Sequence, residues 1–287
     1  MATQKQLIPS SRPRPIRHSD DMLRATAREL AKSVHRWQNG SSNVTDKEMQ
    51  EIENDLFYAL DDHASDLDGY KLSRTLERDK YWDVDSELVD ILGQADITLF
   101  ALHRKAVIQW VKDNDIQPRL DVGALVPVRY RDKLCGGEIV RVDRQHAEYT
   151  VFIESEGHVR EGQGTHGTIV AFETLDSQVK DCPDCSVAPG EFHRDGCDVA
   201  RCAYCGCQQL SCGCADESVG KHAESLPWTG FWPGTVEALM FGFTCVWNKA
   251  GWQECPPVHS QAQADLNRLM GTCEWDPSAR RWMKPQT

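Results

Sequence analysis

The patterned part of the chain opens with a single apolar stripe. In DDMLRATARELAKSVHRW, Leu23, Ala27, Leu30, Val34 and Trp37 recur at three- and four-residue spacing, the period of a helix with one buried face. QNGSSN breaks the stripe, and TDKE at Thr45–Glu48 follows it. A threonine hydroxyl and a glutamate three residues later can each accept from the other's backbone N–H at a helix start. A second helix is therefore predicted, burying Met49, Ile52, Leu56 and Leu60. A third, shorter helix carries Tyr70, Leu72 and Leu76. A long fourth one, capped by Asp85 or Ser86, turns Val89, Leu92, Leu99, Leu102, Ala106 and Trp110 inward. Residues 21–118 thus read as a helical bundle. Residues 1–20, rich in Pro, Ser and Arg and without periodicity, read as a disordered tail.

Over residues 119–180 the period falls to two. Val126, Val128 and Tyr130 alternate with Pro127, Arg129 and Arg131, and GGEIVRVD, EYTVFIES and HGTIVAFE follow between turn-rich stretches. Four or five short strands in that span predict a small β-barrel. The string VPVRYRDKLCGGEIVRVD resembles the opening of SH3-like and KOW-type barrels, which implies an SH3-like barrel here. Residues 181–216 form a cysteine-dense segment. Residues 222–287, beginning near PWTGFWPG, hold six of the nine tryptophans. There the pattern predicts a helix (235–241), a strand (243–247), a second helix (261–270) and a closing hairpin (273–283), a small α+β unit. The expected fold class is multidomain α+β.

Charge and composition narrow the function classes. The net charge of −12 is spread unevenly, with +3 on residues 1–20, −8 on 21–118, −2 on 119–180, −5 on 181–220 and 0 on 221–287. An acidic chain lacks the electrostatic footprint of a general nucleic-acid binder. The longest apolar run, 97–102 with Thr98 allowed, falls far short of the ~18 residues of a membrane span, and the N-terminus has no apolar signal region. A cytoplasmic protein without a membrane partner is expected. Eight of the twelve cysteines lie between Cys182 and Cys214, and in a reducing compartment such crowding points to metal before disulfides.

The segment reads CPDCSVAPGEFHRDGCDVARCAYCGCQQLSCGC. Its candidate ligands form four pairs: Cys182 and Cys185, His193 and Cys197, Cys202 and Cys205, Cys212 and Cys214. A C-x-x-C turn brings two thiolates to one ion, and zinc takes four such ligands tetrahedrally, with no open position in a structural site. Eight ligands make two closed sites, so two structural Zn²⁺ ions are expected. Sequential pairing gives short loops and low closure entropy. Interleaved pairing, Cys182/Cys185 with Cys202/Cys205, has the spacing of a zinc ribbon. Cys207 is left over and could compete with Cys205 or Cys212. The segment has few large apolar residues, and about 10–16 kcal/mol per structural zinc would supply its stability. The run from CPDC to SCGC, with PWTGFWPG and ADLNRL after it, resembles a zinc-ribbon-type segment of uncharacterised bacterial and phage-type proteins. That resemblance places a glycine where this chain has Cys207, and it implies a fold rather than an activity.

Other constellations have plainer readings. DDHASDLDG (61–69) invites a metal or hydrolase role for Asp61 or His63, but Ala64 and Thr75 occupy the first and last ligand positions of a calcium loop started at 64. Solvated helix ends explain it better. Cys245, Cys255, His259 and Cys273 could make a third metal site, although buried thiols fit their loose spacing. His158 and His166 flank REGQGTHG, which lacks the GK[ST] of a phosphate loop. Cys135 has no partner base. Arg129, Arg131, Lys133, Arg141, Arg144 and Arg160 form the densest basic set, and Arg129, Arg131 and Arg141 are the candidate nucleic-acid contacts.

No catalytic signature outweighs its structural explanation, so a non-enzymatic role is favoured. The expected function is a zinc-binding interaction or adaptor protein that docks another protein. A regulatory or mobile-element protein binding nucleic acid through the barrel and basic tail is the alternative, and an unrecognised enzyme the third.

Overall fold

The computed structural model describes residues 13–40, 45–158, 160–161, 164–165, 167–214 and 225–285. They divide into two compact units, one within Ile8–Asp115 and one within Ile116–Thr287. Residues 1–12 of the expected tail and His166 lie outside the described residues, as does the side chain of Arg160.

The N-terminal unit is helical: α1 (Asp20–Asn39), α2 (Asp46–Asp62), α3 (Gly69–Lys80), α4 (Ser86–Leu92) and α5 (Ala95–Asn114). Its core is largely leucine. Leu23, Leu56, Leu60, Leu72, Leu76, Leu88, Leu92 and Leu99 are all buried in one cluster. The TDKE box forms as read, with Glu48 N–H donating to Thr45 Oγ1 at 3.3 Å and Thr45 N–H to Glu48 Oε2 at 2.9 Å. The expected long fourth helix is two helices, broken at Gly93–Gln94. Asp85 caps the first of them, accepting from Leu88 N–H at 2.8 Å and from the Trp37 indole at 3.1 Å. Tyr70, expected inward, is exposed, and Ser73 and Thr75 are buried on that helix instead. Residues 13–19, assigned by sequence to the tail, lie along α5. Arg17 pairs with Asp96 at 2.6 Å, the Arg14 guanidinium sits 5.9 Å from the Trp110 ring centre, and His103 Nε2 is 3.0 Å from the Pro15 carbonyl.

The C-terminal unit begins with an antiparallel sheet of β1 (Leu125–Tyr130), β2 (Lys133–Asp143), β3 (Glu148–Phe152) and, after the two-residue β4 (Arg160–Glu161) and β5 (Gly164–Thr165), β6 (Thr168–Ala171). The strand order is β1-β2-β3-β6. Arg131 and Asp132 make the β1–β2 turn with both φ angles positive, the geometry that matches strand twist in two-residue hairpins. A register shift between Ile139 and Arg141 adds the curl that bulges impose. The result is a half-barrel: among the described residues β1 and β6 remain outer strands, so the closed barrel expected from the sequence is not formed. Helix α6 (Phe172–Asp176) caps it, with Phe172 against Tyr149.

The chain then runs through the cysteine segment to α7 (Thr235–Met240), β7 (Thr244–Asn248), β8 (Gly251–Glu254), β9 (Gln263–Ala264), α8 (Leu266–Thr272) and the β10 (Glu274–Asp276)–β11 (Arg281–Met283) hairpin. Strand β8 was not anticipated, because GWQE is largely exposed and carries no alternation. Helix α8 starts five residues later than expected because Asp265 caps it, accepting from Arg268 N–H at 2.9 Å. Helix α7 lies flat on β2 at Gly136, where a Cβ would stand 2.4 Å from the Val236 carbonyl oxygen. This contact makes half-barrel and C-terminal elements parts of one unit.

A buried polar triad anchors the start of the half-barrel. Tyr149 Oη donates to Asp176 Oδ1 at 2.8 Å and accepts from the backbone N–H groups of Arg119 and Leu120 at 3.1 and 3.2 Å. Burial pushes the Asp176 carboxyl from 3.8 up to about 6. Between those values the folded chain binds more protons than the unfolded one, so this group adds stability as pH falls through about 6 and costs stability above it. Denaturant midpoints of wild type and Asp176→Asn, measured from pH 7 to 4, should converge or cross in favour of wild type on acidification. Parallel curves would show that Asp176 is not the titrating group.

Candidate metal centres

Two turns of the same construction hold the first ligand pair of each centre. In Cys182–Cys185 and in Cys202–Cys205, the first cysteine's N–H donates to the carbonyl five residues on, Val187 or Cys207, at 2.9 Å. Its own carbonyl accepts from the N–H four residues on, Ser186 or Gly206, again at 2.9 Å. That fourth residue is left-handed in both, with φ 59° at Ser186 and 69° at Gly206. Gly206 cannot be replaced as Ser186 can replace glycine, because a Cβ there would lie 2.4 Å from the Trp275 ring. The register makes Cys207 the counterpart of Val187. It contributes a backbone carbonyl to its turn, is exposed, and lies outside both ligand clusters.

The clusters close in sequential order. Cys182, Cys185, His193 and Cys197 bring their ligand atoms within 4.8 Å of one another, and so do Cys202, Cys205, Cys212 and Cys214. In the first, the Cys182 and Cys197 sulfurs are 3.7 Å apart, and His193 Nδ1 is 3.4 Å from Cys185 Sγ and 3.2 Å from Cys197 Sγ. A tetrahedron with metal–sulfur bonds of about 2.3 Å has sulfur–sulfur edges of roughly 3.8 Å. Both clusters are therefore geometrically suited to a metal ion, and all of these cysteines are free of disulfides.

The charges in the clusters also call for a cation. Burial works against ionisation at Cys185, but backbone N–H groups of Arg194 and Val187 together with His193 outweigh it and hold that thiol at about 6. Its neighbour Cys197 is pushed to about 12, by burial first and then by the groups around it. In the second cluster Cys202 is lowered, while Cys205 and Cys212 are raised and Cys214 reaches about 12. Adjacent thiolates repel, so one ionises at the expense of the others until a divalent ion lies between them.

Tryptophans from later in the chain seal both centres. The segment 225–228 forms β-bridges to Phe192 and to Cys202, linking the two centres directly. Trp228 N–H donates to Glu191 at 2.9 Å, its indole to Lys180 at 2.6 Å, and its ring meets His193 edge-on at 5.7 Å. Trp275 donates to the Ala203 carbonyl at 3.0 Å across the second turn. Trp228 is buried, whereas Trp232, four residues on, is half-exposed. Trp275 drew no notice in the sequence, and no local pattern ties it to a turn 72 residues away.

The remaining candidates are dispersed. Arg129 lies opposite Leu134 at the start of β2, whereas Arg141 is near its other end, roughly 23 Å along the strand at about 3.3 Å per residue. Arg129 also donates to the carbonyls of Asp132 and Ser260, and Arg131 stacks 5.1 Å from the Tyr130 ring centre. Lys133 pairs with Glu156 at 2.8 Å and Arg144 with Asp121 at 3.9 Å. The described members of the basic set are therefore spread along the sheet, several of them already engaged. Cys273 packs in a core with Ala238, Phe243 and Leu269, Cys245 points at the Ala264 carbonyl, and His259 Nδ1 accepts from Gln261 N–H. Among the described residues, no third group gathers three such ligands. His63, just past the end of α2, meets Thr75 Oγ1 at 2.9 Å, and Asp61, in the last turn of that helix, is exposed. Cys135 is buried, and burial raises its thiol. His158 Nδ1 accepts from Ile153 N–H at 3.0 Å.

Metal analysis of purified variants should separate ligand from bystander. Cys207→Ser is expected to keep the wild-type metal content, and Cys214→Ser to lose about one equivalent per chain; the reverse outcome would put Cys207 in the second cluster. Comparison with known proteins gives no guide beyond this geometry, for no family model, curated protein or solved structure matches the chain.

Proposed function

We propose that the chain is a zinc-stapled interaction protein that docks another protein on surfaces its metal centres hold rigid. Zinc suits ligand sets of four sulfurs and of three sulfurs with one imidazole, and in both clusters protein atoms take all four positions of the tetrahedron. No position is left for substrate. The centres therefore act as scaffolding, with binding free energy standing in for the apolar core that this segment lacks.

The observation that carries the reading is what the turns display. Phe192, next to the ligand His193, Tyr204, inside the second C-x-x-C turn, and Leu210, between the last two ligand pairs, are all exposed. Large apolar side chains on a rigid, acidic support are typical anchors for a protein partner, and the acidic balance of the segment argues against phosphate contact. No helix among the described residues is long and apolar enough to cross a membrane.

Elemental analysis should find two zinc ions per chain, and a content near zero would remove the scaffold from this reading. Affinity capture from the native cell should recover a stoichiometric protein partner with wild type and lose it with a Phe192→Ala, Tyr204→Ala double variant of unchanged zinc content. Equal recovery by both chains, or no stable partner, would reject the docking role of these turns.

A further inference from the structure

A cavity of about 620 Å³ opens within the C-terminal unit, between the half-barrel, the cysteine segment and the Trp-rich elements. Its size falls within the roughly 300–1,000 Å³ of small-molecule sites. Trp228, Trp232, Trp275 and Trp282 contribute to its wall. Trp275 and Trp282 meet edge-to-face at 5.7 Å, fixing each other's ring planes. Trp232 is 48% exposed and is the most open of the four.

The polar lining is unbalanced. Asp121 is engaged by Arg144, and the Arg119 guanidinium by the carbonyls of Asp176 and Val179. Two other guanidiniums are not so engaged. Arg281, on β11, has a fully buried Nε with no hydrogen-bond partner. Arg201, just before the second cysteine turn, lies on the same wall. Among the described residues neither arginine makes an ion pair. Arg281 is felt by Glu237, also on the wall, and by Asp276, its register partner on β10, while burial pushes the Glu237 carboxyl up. A guanidinium on a cavity wall presents a planar fork of donors that matches a carboxylate. Aromatic faces beside it favour a flat, polarisable partner.

We infer that this cavity is a binding site for a planar aromatic acid, its ring against the tryptophans and its carboxylate on Arg281 and Arg201. The site is separate from the exposed turn residues argued to dock a protein, so either role can fail without the other.

The test is calorimetric titration of the full zinc-loaded chain with 2-naphthoate and with its neutral counterpart, 2-naphthamide. One naphthoate site is expected, with the amide at least about tenfold weaker, as loss of a charge-assisted contact implies. Arg281→Gln should weaken naphthoate by a similar factor and bring acid and amide together, and Arg201→Gln should do the same at unchanged zinc content. Trp232→Ala, at a half-exposed position that can be altered without unfolding the unit, should weaken both compounds alike. No binding of either compound would overturn the site. Equal affinity for acid and amide in wild type, or naphthoate affinity untouched by all three substitutions, would overturn it as well.

Discussion

Thiols crowded together cannot all ionise without repelling one another, and two clusters here bring three and four of them within 4.8 Å, the first with an imidazole added. The rest of the C-terminal unit depends on how that repulsion is relieved. The segment between Cys182 and Cys214 contains almost no regular structure, and its small buried cluster is built from cysteines, valines, an alanine and Trp228. A cation between four ligands converts the repulsion into attraction and fixes the loops at once. The two turns share one hydrogen-bond scheme for the same reason. Each must present two sulfurs on one side and turn its backbone N–H groups toward them.

The neighbouring elements follow from that geometry. Once the turns are fixed, their backbone carbonyls become rigid acceptors, and Trp228 and Trp275 find partners at Lys180, on the approach to the first turn, and at Ala203, inside the second. Placing Trp275 over Gly206 positions the β10–β11 hairpin, and with it Trp282 and Arg281. On the other side, α7 presses on Gly136 of β2 and ties the half-barrel to the same body. The aromatic cavity is therefore a by-product of covering the two ligand clusters.

Features written in short spans were readable from the residues. The stripe of α1 and the Thr45–Glu48 box needed only helix period and local hydrogen-bond chemistry, and both formed. The identity of the eight clustered ligands needed only spacing. What escaped depended on distant residues or on interruptions too brief to disturb a period. The break at Gly93–Gln94 leaves Leu92 and Leu99 both buried, so the stripe runs through it unmarked. Strand β8 has no buried face, and its Trp252 ring meets Trp247 across the hairpin at 5.2 Å instead. Spacing left two pairings of the ligand pairs open, because both satisfy a tetrahedron. Cys207 looked like a spare ligand until its turn could be laid over that of Cys182, where its place belongs to a valine.

The bond between Trp275 and Ala203 spans 72 residues, and that separation has a meaning during synthesis. Chains grow at about 5–20 residues per second, so the second turn waits roughly 4 to 14 s for the indole that covers it. Segment 225–228 reaches both centres sooner. Over that interval the nascent protein carries eight clustered ligands only partly covered by its own later residues. The order of events on the ribosome thus exposes the thiols first and brings the tryptophans afterwards, as a lid over clusters already arranged to take a metal ion.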